Sequence, residues 1–275
     1  MTRAKATEDD GFRVQDGLLP DEGVPTQASY AYREQRIGNL NAARIHNHNG
    51  RAEALNSPPA ISSTTTAYFR DLESCLIRYI TEADAILGCV AWLTNKAILQ
   101  ALAEKDPVAL VVQKEDFLRP DIGSGKNWAR ELRRRYDTLK CTWERFELPG
   151  NIVSGLSNMH ATDISPVRCM GNYNHDRLSA FPRMHHKFAI FCRIELHKKW
   201  GYNEWHEVRS LSPYGVWTGS FNFTENGGRS LENALYITHP EIVNAYLDEW
   251  GKVEALSEPL DWETDWIAPE WRLGT

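Results

Sequence analysis

The 275-residue sequence predicts an α/β domain: a mixed, largely parallel sheet flanked by helices on both faces. Three observations carry that expectation. Two near-continuous apolar runs, "DAILGCVAWLT" and "PVALVVQKED", have the composition of strands buried on both faces. Segments with apolar residues at three- and four-residue steps stand before and between them, as amphipathic helices do. Hydrophobic residues make up 42% of the chain and include ten Trp, enough to furnish a core for this length. Helix, strand, helix, strand is the order in which parallel strands alternate with their crossovers.

Taken in order, residues 1–62 are polar, with turn formers in "LPDEGVP" and "LNSPPAISS", and are expected to form an N-terminal extension. Its "HNHNG" (His46–Gly50) offers two histidines without a third ligand type, which suits an exposed loop better than a metal site. The periodic pattern begins in "SSTTTAYFRDLESCLIRYITEA". There Phe69, Leu72, Leu76, Tyr79 and Ile80 mark one helical face, with Ser and Thr ahead of them as caps. The two buried strands follow, separated by the helix "NKAILQALAEKD". "GSGK" (Gly123–Lys126) lacks the spacing of a phosphate-binding loop and is set aside.

The next helix, "NWARELRRRYDTLK", carries Arg130, Arg133, Arg134 and Arg135. Such a run is ordinarily a solvated face; the alternative is a local contact with phosphates. "PVRCMG" and "FPRMHHKFAIF" read as strands, and "VWTGSFNFTENGGRSLENALYI" as a strand, a glycine-rich turn and a strand. "HPEIVNAYLDEWGKVEAL" closes the domain as a helix, with Pro240 near its start and Ile242, Ala245, Tyr246 and Trp250 on one face. These elements delimit a domain over 63–257 with an insertion near 193–215. The acidic, Trp-rich tail 258–275 is expected to dock on the body or on a partner.

A net charge of −6 argues against a surface coated in positive charge, so a nucleic-acid partner would have to be met by a local patch. The five cysteines are odd in number and show no paired spacing, as expected of free thiols in a reducing compartment. No apolar leader segment stands at the start and no run approaches the ~20 residues of a spanning helix. A cytoplasmic protein without membrane contact is the expectation.

Chemistry concentrates in two places. On a strand, His185 and Lys187 share one face while His186 and Phe188 take the other, so an imidazole stands one pleat from an ammonium suited to binding phosphate. Downstream, "TGSFNFT" places Ser220 and Asn222 on a common face beside a glycine that lets backbone approach a ligand. A hydroxyl, an amide and an ammonium converging on one histidine make a phosphate pocket. The bland reading is a structural histidine in a core strand.

"MHHKFAIF", "VWTGSFNFTENGG" and "SLENALYI", in that order, resemble the phospholipase D superfamily, whose HxKxxxxD pattern is followed by GSxN. The resemblance runs over about residues 65–255 and identifies His185, Lys187, Ser220, Asn222 and Glu232 as its site residues. A second HxK, His197 and Lys199, has no apolar strand after it and reads as loop surface. Two departures stand out. The family's aspartate, which orients a histidine, is Cys192 here, leaving Glu195 or Glu232 to take that role. The gap before GSxN is also enlarged by "RIELHKKWGYNEWHEVRSLSPYG", expected at the site rim.

The chain has one motif copy, whereas family chemistry uses two histidines, so the resemblance implies a homodimer completing one site. It further implies a phosphohistidine intermediate with no metal or other cofactor, in a phosphodiesterase most like the dimeric nucleases. The expected substrate is DNA or RNA, in defence against foreign nucleic acid. Arg130, Arg133 and Arg134, with Lys198 and Lys199 of the insertion, are the candidate phosphate contacts. Trp200, Tyr202 and Trp205 would either stack on unpaired bases or pin the insertion. A phospholipid phosphodiesterase, a weakened binding module and a subunit of a larger assembly, reached through the extension or the tail, are the rival readings.

Overall fold

The structure, a computed structural model, describes residues 38–46, 52–54, 57–118, 127–143, 145–147, 155–158, 164–174, 181–201, 203–261 and 271–273. Strands β1 (Arg44–His46) and β2 (Ala52–Ala54) pair with each other. They are followed by β3 (Ala60–Ile61), β4 (Thr65–Tyr68), helix α1 (Leu72–Glu82), β5 (Ala85–Val90), α2 (Lys96–Ala103) and β6 (Val108–Glu115). Helix α3 (Asn127–Tyr136) leads to β7 (Arg145–Glu147), β8 (Gly155–Asn158) and β9 (Val167–Asn174). Two long strands come next, β10 (Lys187–Gly201) and β11 (Glu204–Gly219). The last elements are α4 (Glu225–Arg229), β12 (Ala234–Ile237), α5 (Pro240–Ala255), β13 (Glu258–Pro259) and β14 (Trp271–Leu273).

Among the described residues nine strands form one sheet in the order β13-β9-β6-β5-β10-β11-β12-β4-β3. The α/β class and the mixed sheet are as expected, but the sheet is not largely parallel. Only β5/β6 and β6/β9 pair in parallel; the other neighbours are antiparallel. The reason lies in the connections. A helical crossover returns the chain in the same direction, as α2 does between β5 and β6, whereas a tight hairpin between β10 and β11 forces reversal.

Helices cover both faces. Along β5, Ile86 and Val90 join α1, α2 and α3 in one core, while Leu87 and Cys89 join α5 in the other. On the first face the aromatic rings interlock. Tyr79 stacks on Tyr236 at 3.9 Å, Tyr68 stacks on Trp217 at 5.5 Å, and the Tyr68 and Tyr79 hydroxyls are 2.7 Å apart. Aromatic pairs of this kind add about 0.5–1.5 kcal/mol each beyond their burial.

Two helical boundaries differ from expectation. Thr65–Tyr68 is a strand paired with β12, so the Ser/Thr run caps nothing; Asp71, with a φ of 55°, turns the chain into α1, and Phe69 is left 44% exposed. On α5 the buried stripe is Val243, Leu247, Trp250 and Glu254, not the Ile242–Ala245–Tyr246 face; Ile242 and Ala245 are exposed. Of the tail, β13 pairs with β9 and β14 with β8, so these segments dock on the body. The "HNHN" side chains, "GSGK", Trp262 and Trp266 lie outside the described residues. Among described residues, no helix is long and apolar enough to cross a membrane.

At the β9 edge, charged side chains are buried together. Lys114 pairs with Glu258 at 2.5 Å, and Arg168 lies 3.7 Å from Glu254 while donating to the Ser257 hydroxyl (2.7 Å) and carbonyl (2.9 Å). Burial pushes the Glu254 carboxyl up to about 7, with Arg168 opposing. The folded chain therefore holds that proton more tightly than the unfolded chain, whose carboxyl titrates near 4.5. The proton's stabilisation, on the order of 3 kcal/mol at most, is complete below the unfolded value and is lost as pH rises through about 7. Melting temperature should accordingly fall between pH 4.5 and 7 through this group, and Glu254→Gln should flatten that slope in a pH series of thermal melts.

Candidate active site

β10 and β11 pair antiparallel with Phe188 opposite Thr218, so the start of one and the end of the other lie at the same end of the sheet. His185 stands just ahead of β10 and Ser220 just past β11. Pairing of Gly219 with Ala234 brings Glu232 and Asn233 there too, and pairing of Lys187 with Val90 adds the end of β5. β6, parallel to β5, ends nearby at Glu115.

Gly219 makes the junction possible. Its φ of 149° is unfavourable for residues with a side chain, and a Cβ there would lie 2.3 Å from the Asn233 carbonyl oxygen. The close approach locks Ser220 in place: its N–H donates to Asn233 O (3.1 Å), and the Asn233 N–H donates to Ser220 Oγ (3.1 Å). Ser220 Oγ in turn donates a short hydrogen bond to Glu232 Oε2. Two residues on, Asn222 carries a buried Oδ1 with no hydrogen-bond partner among the described residues.

Lys187 Nζ donates to the His185 carbonyl (3.0 Å) and lies 3.2 and 3.3 Å from the two ring nitrogens. An ammonium in that position meets a neutral imidazole, which accepts, and opposes an imidazolium, which cannot. His185 is accordingly held below its usual pKa, by desolvation first and then by Lys187, Arg183 and His186. Desolvation also lowers Lys187, while the Glu232 carboxylate opposes that shift. Lys187 thus contacts His185, Ser220 contacts Glu232, and the Glu232 charge acts on Lys187, so the four groups gather at the sheet end.

His186 points the other way, as strand alternation requires: it contacts Glu249 of α5 (3.1 Å) and sets its ring edge-on to Phe188. A 530 Å³ groove opens between these elements, lined by Arg183, His185, His186, Glu249 and Lys252 among others. On its remaining side His185 meets Trp92 edge-on at 5.6 Å, and Trp92 Nε1 donates to Glu115 Oε1 at 2.9 Å. Trp92, Glu115, Arg183 and Lys252 are site neighbours that no motif marks. The available signal was positional: Trp92 and Glu115 sit at the carboxyl ends of buried strands, where α/β sheets place ligands.

Several expected contacts lie elsewhere. The insertion is not at the rim. It continues β10 and β11 away from the site, placing Lys198 and Lys199 eleven and twelve residues along β10 from Lys187, on the order of 35–40 Å at strand rise. His197 and Lys199, the second HxK, are exposed on this strand rather than in a loop. At the hairpin tip Trp200 and Trp205 pack on each other (5.4 Å) and stay exposed; Tyr202 lies outside the described residues.

Arg133 is a structural tie, bonded to the Leu118 and Leu260 carbonyls and to Asp261. Arg130 bonds Asn127, and Arg134 stands largely in solvent, 4.0 Å from Glu131. Cys192, at the motif's aspartate position, is buried in the α5-side core, where burial pushes its thiol far up. It lies five residues from Lys187, about 16 Å at strand rise, and Glu195 is farther still. Glu232 is the carboxylate that reaches the cluster. Among described residues, no group of three or more His, Cys, Asp and Glu is placed to hold a metal.

The fold and this cluster define an α/β protein whose polar site gathers at one end of a mixed sheet. The chain is 34% identical over 212 residues to uncharacterized protein L381 of Acanthamoeba polyphaga mimivirus, covering 72% of this chain and 67% of that protein, and it belongs to the same family. No family model matches. Similar solved structures include Nuc from Salmonella typhimurium, a phospholipase D family member, at 16% identity and a TM-score of 0.40, over 70% of this chain and 97% of that one. NucT from Helicobacter pylori is similar at 11% identity and a TM-score of 0.43, over 71% and 98%.

Because Gly219 has no room for a side chain, Gly219→Ala should lower the melting temperature by roughly 5 °C or more in a thermal melt.

Proposed function

We propose that this chain is a metal-independent phosphodiesterase of the phospholipase D superfamily that cleaves nucleic acid, two chains completing one site. The observation that supports it is the convergence of His185, Lys187, Ser220 and Glu232 at one sheet end, from segments separated by a long hairpin and a helix. A core histidine would have no use for an ammonium held against its ring or for a serine braced by a carboxylate.

The chemistry follows from these groups. The neutral His185 ring attacks phosphorus, and the bond to the leaving oxygen breaks as that oxygen takes a proton from the partner subunit's His185. The partner imidazole, now neutral, takes a proton from water; the hydroxide displaces histidine and releases the phosphate monoester. Lys187 and the Asn222 amide N–H donate to the nonbridging oxygens and stabilise their charge, and the Ser220 hydroxyl joins them as its proton turns from Glu232 to the substrate. Glu232 holds Ser220 and faces Lys187, the fixed carboxylate that Cys192 cannot supply. Arg183 and Lys252 add positive charge along the groove beside His185.

Labelled DNA and RNA, single- and double-stranded, should be cut by wild type in EDTA and at least a thousandfold more slowly by His185→Ala. Mixing in excess His185→Ala should depress wild-type turnover beyond simple dilution, because mixed dimers lack one imidazole. Loss of all cutting in EDTA, restored by a divalent ion, would overturn the mechanism. The acidic limb of the kcat/KM profile should fall below pH 6.5, since the ring must be neutral to attack and its pKa is lowered from that value.

A further inference from the structure

A second cleft, 420 Å³ in volume, shares no lining residue with the His185 groove and is walled in part by Thr224, Glu225 and Asn226, just past the GSxN segment. Its lining includes Lys96, Phe117, Trp128, Arg135, Thr224 and Glu225. Topology places it at the site's end of the sheet: Thr94, also in its wall, follows β5, Phe117 follows β6, and Thr224 is four residues past Ser220. The walls are joined directly, since the Thr94 and Asn95 N–H groups both donate to the Phe223 carbonyl at 2.9 Å.

The side chains here are of a particular kind. Trp128 is 51% exposed and leans on Phe117 at 5.1 Å, so one ring braces the other while much of the indole stays open to solvent. Lys96 is exposed at the start of α2, and Arg135 is held by Glu131 at 3.0 Å. Arg135 Nε is buried with no hydrogen-bond partner among the described residues, a donor that the fold leaves unused. An open aromatic face with an exposed lysine and a braced arginine beside it, a few residues from a phosphate-directed serine, matches one chemistry: a base attached to a sugar-phosphate chain. The volume lies within the range of small-ligand sites.

We propose that this cleft is a base subsite. It receives an unpaired nucleobase of the strand whose phosphodiester lies at His185, stacking it on Trp128, with Lys96 and Arg135 toward the neighbouring phosphates. This rests on the phosphodiesterase reading and sharpens it: a base can enter a walled cleft only when it is out of the duplex stack, so the substrate is single-stranded or locally unpaired.

The test compares binding of a fluorescent oligothymidylate, its abasic counterpart of equal length, and a duplex of that length, at one fixed salt concentration. The backbone charge of the two single strands is the same, so their difference isolates the base. Wild type should favour the thymine strand over the abasic one by roughly tenfold, the scale of one stacked base. Trp128→Ala should erase that preference, Trp128→Phe should keep most of it, and affinity for the duplex should respond to neither. Equal affinities of wild type and Trp128→Ala for the thymine strand, or an equal effect on the abasic strand, would overturn the subsite. Turnover in EDTA is scored separately on the same strands. Base-dependent binding without any cleavage sinks the phosphodiesterase reading and leaves the subsite; cleavage with no base dependence sinks the subsite alone.

Discussion

The antiparallel pairing of β10 with β11 is the constraint on which the site depends. Backbone hydrogen bonds fix Phe188 opposite Thr218, and the polar cluster hangs from the ends of that register. A slip of one residue would send Lys187 to the α5 side of the sheet, away from Ser220 and Glu232, which the β11/β12 pairing holds together. Register is secured where it matters because both faces of this strand pair are buried. Ala189, Phe191 and Trp217 enter one core, and Phe188, Ile190 and Val216 enter the other. The packing that stabilises the fold and the alignment of the polar cluster are therefore one property.

The sheet itself was legible where its strands were uniformly apolar. "AILGCV" and "VALVVQ" permit little else, and both came out as central strands buried throughout. The direction of the remaining strands was not legible, because composition reports burial and says nothing of whether a connection crosses over or doubles back. The α5 face was misplaced for a related reason. Val243, Leu247 and Trp250 fit helical spacing as well as Ile242 and Tyr246 do, and only the position of the sheet decides between the stripes. The strand at Thr65–Tyr68 escaped because its partner β12 lies far along the chain.

For the site, strand alternation and residue chemistry set His185 with Lys187, and Ser220 with Asn222, while Glu232 is marked by the resemblance alone; the structure brings His185, Lys187, Ser220 and Glu232 to one sheet end. Trp92 and Glu115 were not, because nothing local distinguishes a tryptophan that supports an imidazole from one that fills a core. Lys198 and Lys199 show the converse error. Nearness in sequence to a motif is not nearness in space, because a strand separates residues along its axis faster than any other element. Arg133 shows that a basic run can be divided among tasks: one member ties α3 to the segment that follows β6 and to the residues beyond β13, while its neighbours face solvent or a cleft.

The hairpin that extends β10 and β11 grows at the end remote from His185, beyond the bulge where Cys192 pairs with Pro213. The number of residues between the two halves of the motif is thus uncoupled from the distance between them in the folded chain. Evolution can lengthen, shorten or redecorate that arm without disturbing a single contact of the polar cluster. A sequence pattern that prescribes a fixed gap between the halves will pass over chains of this architecture, whereas one that demands only the two ends and their order will recover them.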